Sequence, residues 1–260
     1  MIRTFLAAIS CLMLGAACSS TVKPKVEIDP SKVSGMKSFD YTDWTEVLKT
    51  YVDDAGRVNY SALKANREGL DRFVALIAAA GPRKTPNLFK TKEDRLAYYI
   101  NAYNALTMFN VINRLPKFVS VNDDPKNFFY FTEFVLDGQD IALYDLENKV
   151  IRPTFKEPRI HFALNCASVG CPQLPNEPFL PEKLEEQLTR ETVKFLHEER
   201  NVKKVADRVL LSQIFEWYAE DFPPTVIRWI NGSAADLEIP PDIRITYRPY
   251  DWTLNKPVKE

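Results

Sequence analysis

The chain has 260 residues, with 34 Lys and Arg against 35 Asp and Glu, 45% hydrophobic residues and 12% aromatic residues. This composition excludes broad disorder and supplies no positive field to gather phosphates, so no nucleic-acid partner is expected. The eight glycines form neither GxG nor GxxxxGK, which excludes the usual dinucleotide and Walker-type phosphate loops.

In chain order, Arg3 precedes the apolar run Phe5 to Leu14 and the small residues Gly15, Ala16 and Ala17 before Cys18. Residues 1–17 read as an export signal, since about thirteen apolar residues fall short of the roughly twenty that span a bilayer. The stretch LGAAC resembles a bacterial lipoprotein processing site, so Cys18 is the expected lipidation site. Ser19 after it resembles lipoproteins sorted to the outer membrane, which places the chain in the cell envelope, on the periplasmic face of that membrane. Residues 18–38, rich in Lys, Pro, Ser and Val without an apolar period, read as a lipid-anchored tether, and 39–260 as one globular domain.

Within that domain the pattern predicts a helix over 43–52 capped by Thr42 or Asp43, a turn at 53–56 and a short strand at 57–60. Leu63, Leu70, Phe73, Ile77 and Ala80 recur at helical spacing until Gly81-Pro82. Thr91 caps the longest helix, which runs to about Asn113 on the face Leu96, Tyr99, Ile100, Tyr103, Leu106 and Phe109. Asp137-Gly138 joins strands at 129–136 and 139–143 in a tight hairpin. A short helix follows at 144–152, an apolar strand at 159–165 and an amphipathic helix at 181–199. A small hairpin over 202–205 and 209–211, helices at 213–220 and from Pro223 to Ile230, and a late strand at 243–247 complete the chain. The expected class is α+β, a single mainly helical domain with a small antiparallel sheet.

With Cys11 in the signal and Cys18 at the anchor, only Cys166 and Cys171 remain in the domain. Of the two histidines, His197 lies in a charged run and reads as a solvated surface residue, whereas His161 lies in the apolar run 159–165.

Five stretches, PRIHFALNCASVGCP (158–172), YYINAYNAL (98–106), LYDLENKVIRP (143–153), LSQIFEWYAEDF (211–222) and YDWTLN (250–255), resemble the family catalogued as domain of unknown function 547. The resemblance covers roughly Trp44 to Asn255 and brings no established reaction and no catalytic residue with it.

Three arrangements of Cys166 and Cys171 compete. In an oxidising compartment the pair forms a disulfide, whose short loop contributes about 2 kcal/mol. Alternatively Cys166 is a reactive thiolate in the turn Ala167 to Gly170, with His161 as base and Glu147, Asp145 or Asn165 to orient it. Strand parity opposes this pair, because His161 and Cys166 would face opposite sides of an unbroken strand. A zinc site from His161, Cys166, Cys171 and a carboxylate matches no common spacing, so neither metal nor cofactor is expected. Asn101, Asn104 and Asn165 are candidate binding residues of a polar cleft, the alternative for Asn101 and Asn104 being a helix-to-strand hydrogen-bond bracket. The aromatic run 128–134 reads as core, and Tyr218, Glu220 and Asp221 as turn and packing residues.

The resulting expectation is a thiol-dependent hydrolase or acyltransferase on envelope peptide or amide substrates, with Cys166, His161 and Glu147 as candidate catalytic residues. The alternative is a noncatalytic binding or scaffold module closed by a Cys166–Cys171 disulfide. The expected partners are a membrane through the lipid anchor and an envelope peptide or protein.

Overall fold

The computed structural model describes residues 20–257, so the expected export signal, Cys11 and the expected lipidation site Cys18 lie outside the described residues. Strand β1 (Ser20–Val22) and helix α1 (Pro30–Ser34) come first. Within the stretch expected as a tether, the described residues depart from coil: β1 pairs in parallel with residues 132–134, and Asp29 caps α1 by accepting from the Ser31 amide at 2.8 Å.

Helices α2 (Thr42–Tyr51), α3 (Tyr60–Ala65) and α4 (Glu68–Ala79) pack around α5 (Lys92–Arg114). The start of α5 is fixed by a capping box in which Thr91 Oγ1 accepts from the Asp94 amide at 3.0 Å and Asp94 returns the bond at 2.8 Å. From Leu96 to Ile112 nearly every α5 side chain is buried, including Asn101, Asn104, Thr107 and Asn110. The expected apolar face is therefore the inner part of a helix enclosed on all sides. Expected strand 57–60 reduces to a single bridge between Val52 and Val58.

The Asp137-Gly138 hairpin forms as predicted between β2 (Thr132–Leu136) and β3 (Gln139–Ala142). Both turn residues have positive φ, 51° and 72°, and the Asp137 carboxylate accepts from the Arg83 and Lys84 amides at 2.6 and 2.9 Å. The front of the expected first strand instead coils as a π-helical turn over Asn127–Phe131. Expected helix 144–152 is split into α6 (Leu143–Asp145), a π-helical turn Leu146–Ile151 and α7 (Arg152–Phe155).

The expected strand at 159–165 is absent. Pro158–Phe162 forms a 3-10 turn, started by a proline that has no amide to donate and by Glu157, which accepts from the Arg159 amide at 3.1 Å. Ile160 and Phe162 then point into two separate cores, a division that a strand would not give. The parity objection to His161 and Cys166 falls with the strand.

Helix α8 (Leu184–His197), the hairpin β4 (Val202–Val205) and β5 (Arg208–Ser212), α9 (Ile214–Trp217), α10 (Val226–Ser233) and β6 (Arg244–Arg248) build the second core. Helix 213–220 shrinks to α9 plus a 3-10 turn at Ala219–Asp221, and α10 starts at a Thr225 cap, later than Pro223. The fold is α+β, but the described residues form two sheets, β1-β2-β3 and β4-β5-β6, each with one parallel and one antiparallel pairing. The single antiparallel sheet is thereby corrected. Among the described residues no helix is long and apolar enough to cross a membrane.

Candidate functional site

A cavity of about 190 Å³ opens where the two cores meet, with Tyr103 and Leu164 on one side and Ile214, Tyr218 and Tyr250 on the other. Cys166, His161 and Glu147, drawn from separate segments, all line it. The rest of the wall is mostly aromatic: Phe129, Tyr130, Tyr144, Trp217 and Trp252. Tyr130 stacks on Tyr144 at 4.4 Å, and Trp217, Tyr250 and Trp252 pack with centroids 4.6 to 5.6 Å apart. The run 128–134 is thus only partly core: Phe128 and Phe134 are buried, whereas Tyr130 is 49% exposed at the cavity mouth.

Cys166 and Cys171 are joined by a disulfide, with Cα atoms 6.2 Å apart. The two sulfurs differ in surroundings. Cys171 Sγ accepts from the Cys166 amide at 3.0 Å, the Ser168 amide at 3.4 Å and the Tyr250 hydroxyl at 3.2 Å. Cys166 Sγ has the Tyr250 hydroxyl at 3.3 Å and Ser168 Oγ at 3.7 Å, and no backbone amide. Ala167 sits at φ 67°, the left-handed conformation that turns these amides inward. Gly170 lets the Tyr250 ring lie flat on the loop, since a Cβ there would stand 2.8 Å from it.

His161 is buried, stacks on Tyr218 at 4.1 Å, and its Nε2 lies 2.7 Å from Asp221 Oδ2. Asp221 is therefore its orienting carboxylate, in place of Glu147, Asp145 or Asn165; Asp145 instead pairs with exposed Lys149. Arg152 donates to Asp221 at 2.7 Å, to Glu220 at 2.9 Å and to Asn148 at 2.7 Å. Burial acts to raise the Asp221 carboxyl, but the hydrogen bonds from His161 and Arg152 outweigh it and hold the group down at about 2. With its sulfur bonded to Cys171, Cys166 has no thiol proton for His161 to take, and neither cysteine is a thiolate ligand for zinc. Among the described residues no three His, Cys, Asp or Glu side chains are grouped to hold a metal ion.

Glu147 accepts from the Tyr103 hydroxyl at 3.2 Å, and Tyr218 lines the same wall. Burial first, and the charge of the neighbouring Glu147 second, push both phenols well up, so both keep their protons beside the carboxylate.

The three asparagines do not line the cavity, and their amides are occupied by backbone. Asn101 bonds the Phe179 amide and carbonyl at 3.0 and 2.6 Å and accepts from Trp44 Nε1 at 3.0 Å. Asn104 donates to the Ala163 carbonyl and accepts from the Asn165 amide, while Asn165 donates to the Pro172 carbonyl and accepts from the Ala167 amide. Chain segments without a ladder need these partners: Asn104 and Asn165 bracket the approach to the disulfide loop, and Asn101 brackets the segment at Phe179. His197 is exposed beside Asp236, as expected of a surface residue.

Residues 87–196 match the DUF547 family model, described as a protein of unknown function. The DUF547 match spans α5, the Glu147 turn, His161 and the disulfide loop, and stops before Trp217, Tyr218, Asp221, Tyr250 and Trp252. No curated protein and no solved structure matches the chain. Four of these residues, Trp217, Tyr218, Tyr250 and Trp252, line the cavity within the stretches LSQIFEWYAEDF and YDWTLN, whereas Asp221 reaches it only through His161. Their dense aromatic content was the available signal.

Proposed function

We propose that this chain is a cell-envelope lipoprotein whose domain is a binding module, receiving a side-chain-sized group of an envelope peptide or protein. The observation that carries this reading is a cavity of about 190 Å³ walled by aromatic rings and a closed disulfide. Drug-sized ligands fill roughly 300 to 1,000 Å³, so this volume suits one side chain or head group. Tyr130, Tyr144 and Trp217, at 38 to 49% exposure, give the mouth a rim on which a bound chain can pack. An envelope location agrees with the disulfide, which is stable in oxidising compartments, and with the LGAAC stretch ending at Cys18.

The test is saturation-transfer NMR on the purified, oxidised protein with a panel of N-acetyl amino-acid amides. A subset should bind saturably and lose binding in Trp217→Ala; a panel with no binder would overturn the module. Fatty-acid labelling tests the anchor, since Cys18→Ser should abolish incorporation, and an unlabelled wild type would refute it.

A second reading, thiol-dependent hydrolysis or acyl transfer, is favoured by one observation: Cys166, His161 and Glu147 share the cavity wall. It requires prior reduction. Iodoacetamide labelling of reduced Cys166 should then slow in His161→Ala, and unchanged labelling removes this reading.

A further inference from the structure

We propose that the group received by this cavity is an organic cation, an alkylammonium or N-methylated ammonium, with Glu147 as its counter-charge. The inference rests on the binding-module reading and names its ligand class.

Four acidic side chains are buried among the described residues, and three have evident electrostatic partners. Asp71 is paired with Arg67 by two hydrogen bonds of 2.8 Å, and Glu191 with Arg190 at 2.8 Å. Asp137 takes two backbone amides. Glu147, 9% exposed, forms no ion pair among the described residues. Its hydrogen-bond donor is the Tyr103 phenol at 3.2 Å, and the Tyr218 ring lines the same wall. A carboxylate offers about four acceptor positions, so one phenol leaves room for a further donor. A buried charge without a cation is costly, and a cationic ligand removes that cost on binding.

The wall points the same way. No Lys or Arg lines the cavity. The nearby guanidinium of Arg152 lies 4.9 Å over the Tyr218 ring and is engaged by Asn148, Glu220 and Asp221. An anionic group would meet the Glu147 carboxylate, while the basic side chain in the wall, His161, is already engaged by Asp221 at 2.7 Å. A purely apolar group would leave that carboxylate buried and unpaired. Electron-rich rings beside a carboxylate suit a soft cation, because ring faces attract ammonium groups most strongly once water is excluded. A neutral sugar could also stack on aromatic rings, and the experiment separates it.

The oxidised full chain is titrated with choline, n-butylammonium, the neutral carbon isostere 3,3-dimethylbutan-1-ol and N-acetylglucosamine, following tryptophan fluorescence. One of the two cations should saturate the signal and bind at least about tenfold more tightly than the isostere. Glu147→Gln should weaken that cation about tenfold or more while leaving the isostere unchanged. The wild-type comparison stands even if the variant is poorly folded. Equal binding of cation and isostere, preferential binding of the sugar, or an unaffected Glu147→Gln overturns the cation assignment and leaves the module intact. Failure of all four probes, together with a silent amide panel, overturns both.

Discussion

The unequal surroundings of the two sulfurs give a sharp mutational prediction. Opening the six-residue loop from Cys166 to Cys171 should cost about 2 kcal/mol, the chain-entropy value for so short a closure. Cys166→Ala should cost about that amount, because Cys171 Sγ remains to accept from the Cys166 and Ser168 amides. Cys171→Ala opens the same loop and also leaves those two amides without their acceptor. A buried donor left unpaired costs about 1–3 kcal/mol, so this variant should be less stable than Cys166→Ala by at least about 1 kcal/mol. Urea unfolding of both variants and wild type, compared at equal m-values, measures the difference. Dithiothreitol should bring wild type close to Cys166→Ala and leave Cys171→Ala below both. Equal midpoints for the two variants would refute the role assigned to the amides.

Three further outcomes follow from the packing. Leu106, fully buried in α5, should cost about 2–5 kcal/mol on truncation to Ala, read as a lowered urea midpoint. Gly170→Ala, whose Cβ would meet the Tyr250 ring at 2.8 Å, should cost about 1–3 kcal/mol and alter Trp217 and Trp252 fluorescence. Gly232→Ala, with nothing within 4 Å, should show neither effect. For pH, the Asp221 carboxyl sits at about 2 in the fold against an ordinary 3.8. Its contribution is therefore complete above 3.8 and disappears as pH falls toward 2, so Asp221→Asn should lose part of the stability drop across that window. Parallel pH profiles for wild type and variant would refute it.

Local chemistry was legible where a few neighbouring residues determine the structure. Thr91 with Asp94 fixes the start of α5, and Asp137-Gly138 fixes the hairpin, because cap and turn geometry are decided within four residues. The apolar content of run 159–165 predicts a strand, whereas Ile160 and Phe162 are divided between two cores that sequence spacing does not reveal. The same limit applies to the site. Cys166, His161 and Glu147 stand out by residue type, but Asp221 looked like an ordinary turn residue because its partner His161 lies 60 positions away. Asn101 and Asn104 were ambiguous for the converse reason. Amides that bracket irregular backbone look, in sequence, the same as amides that bind ligand.

The disulfide loop lies between segments that hold it independently of the sulfur bond. Val169 and Gly170 donate to the Thr253 and Asp251 carbonyls at 2.8 Å, and Asn255 donates to the Ala167 carbonyl at 2.9 Å. Arg200 adds a bond to the Val169 carbonyl and another to the Cys171 carbonyl at 3.1 Å. Asn104 and Asn165 fix the loop from the α5 side. Each of these bonds contributes on the order of 1 kcal/mol, so together they exceed the roughly 2 kcal/mol from loop closure. The C-terminal segment that holds the loop also carries Tyr250 and Trp252 into the cavity wall. Reduction should therefore change the chemistry of one wall while the aromatic side of the cavity keeps its place. Ligand capture by the rings and Glu147 is separable from the redox state of Cys166, and the cation titration should give nearly the same affinity with and without dithiothreitol.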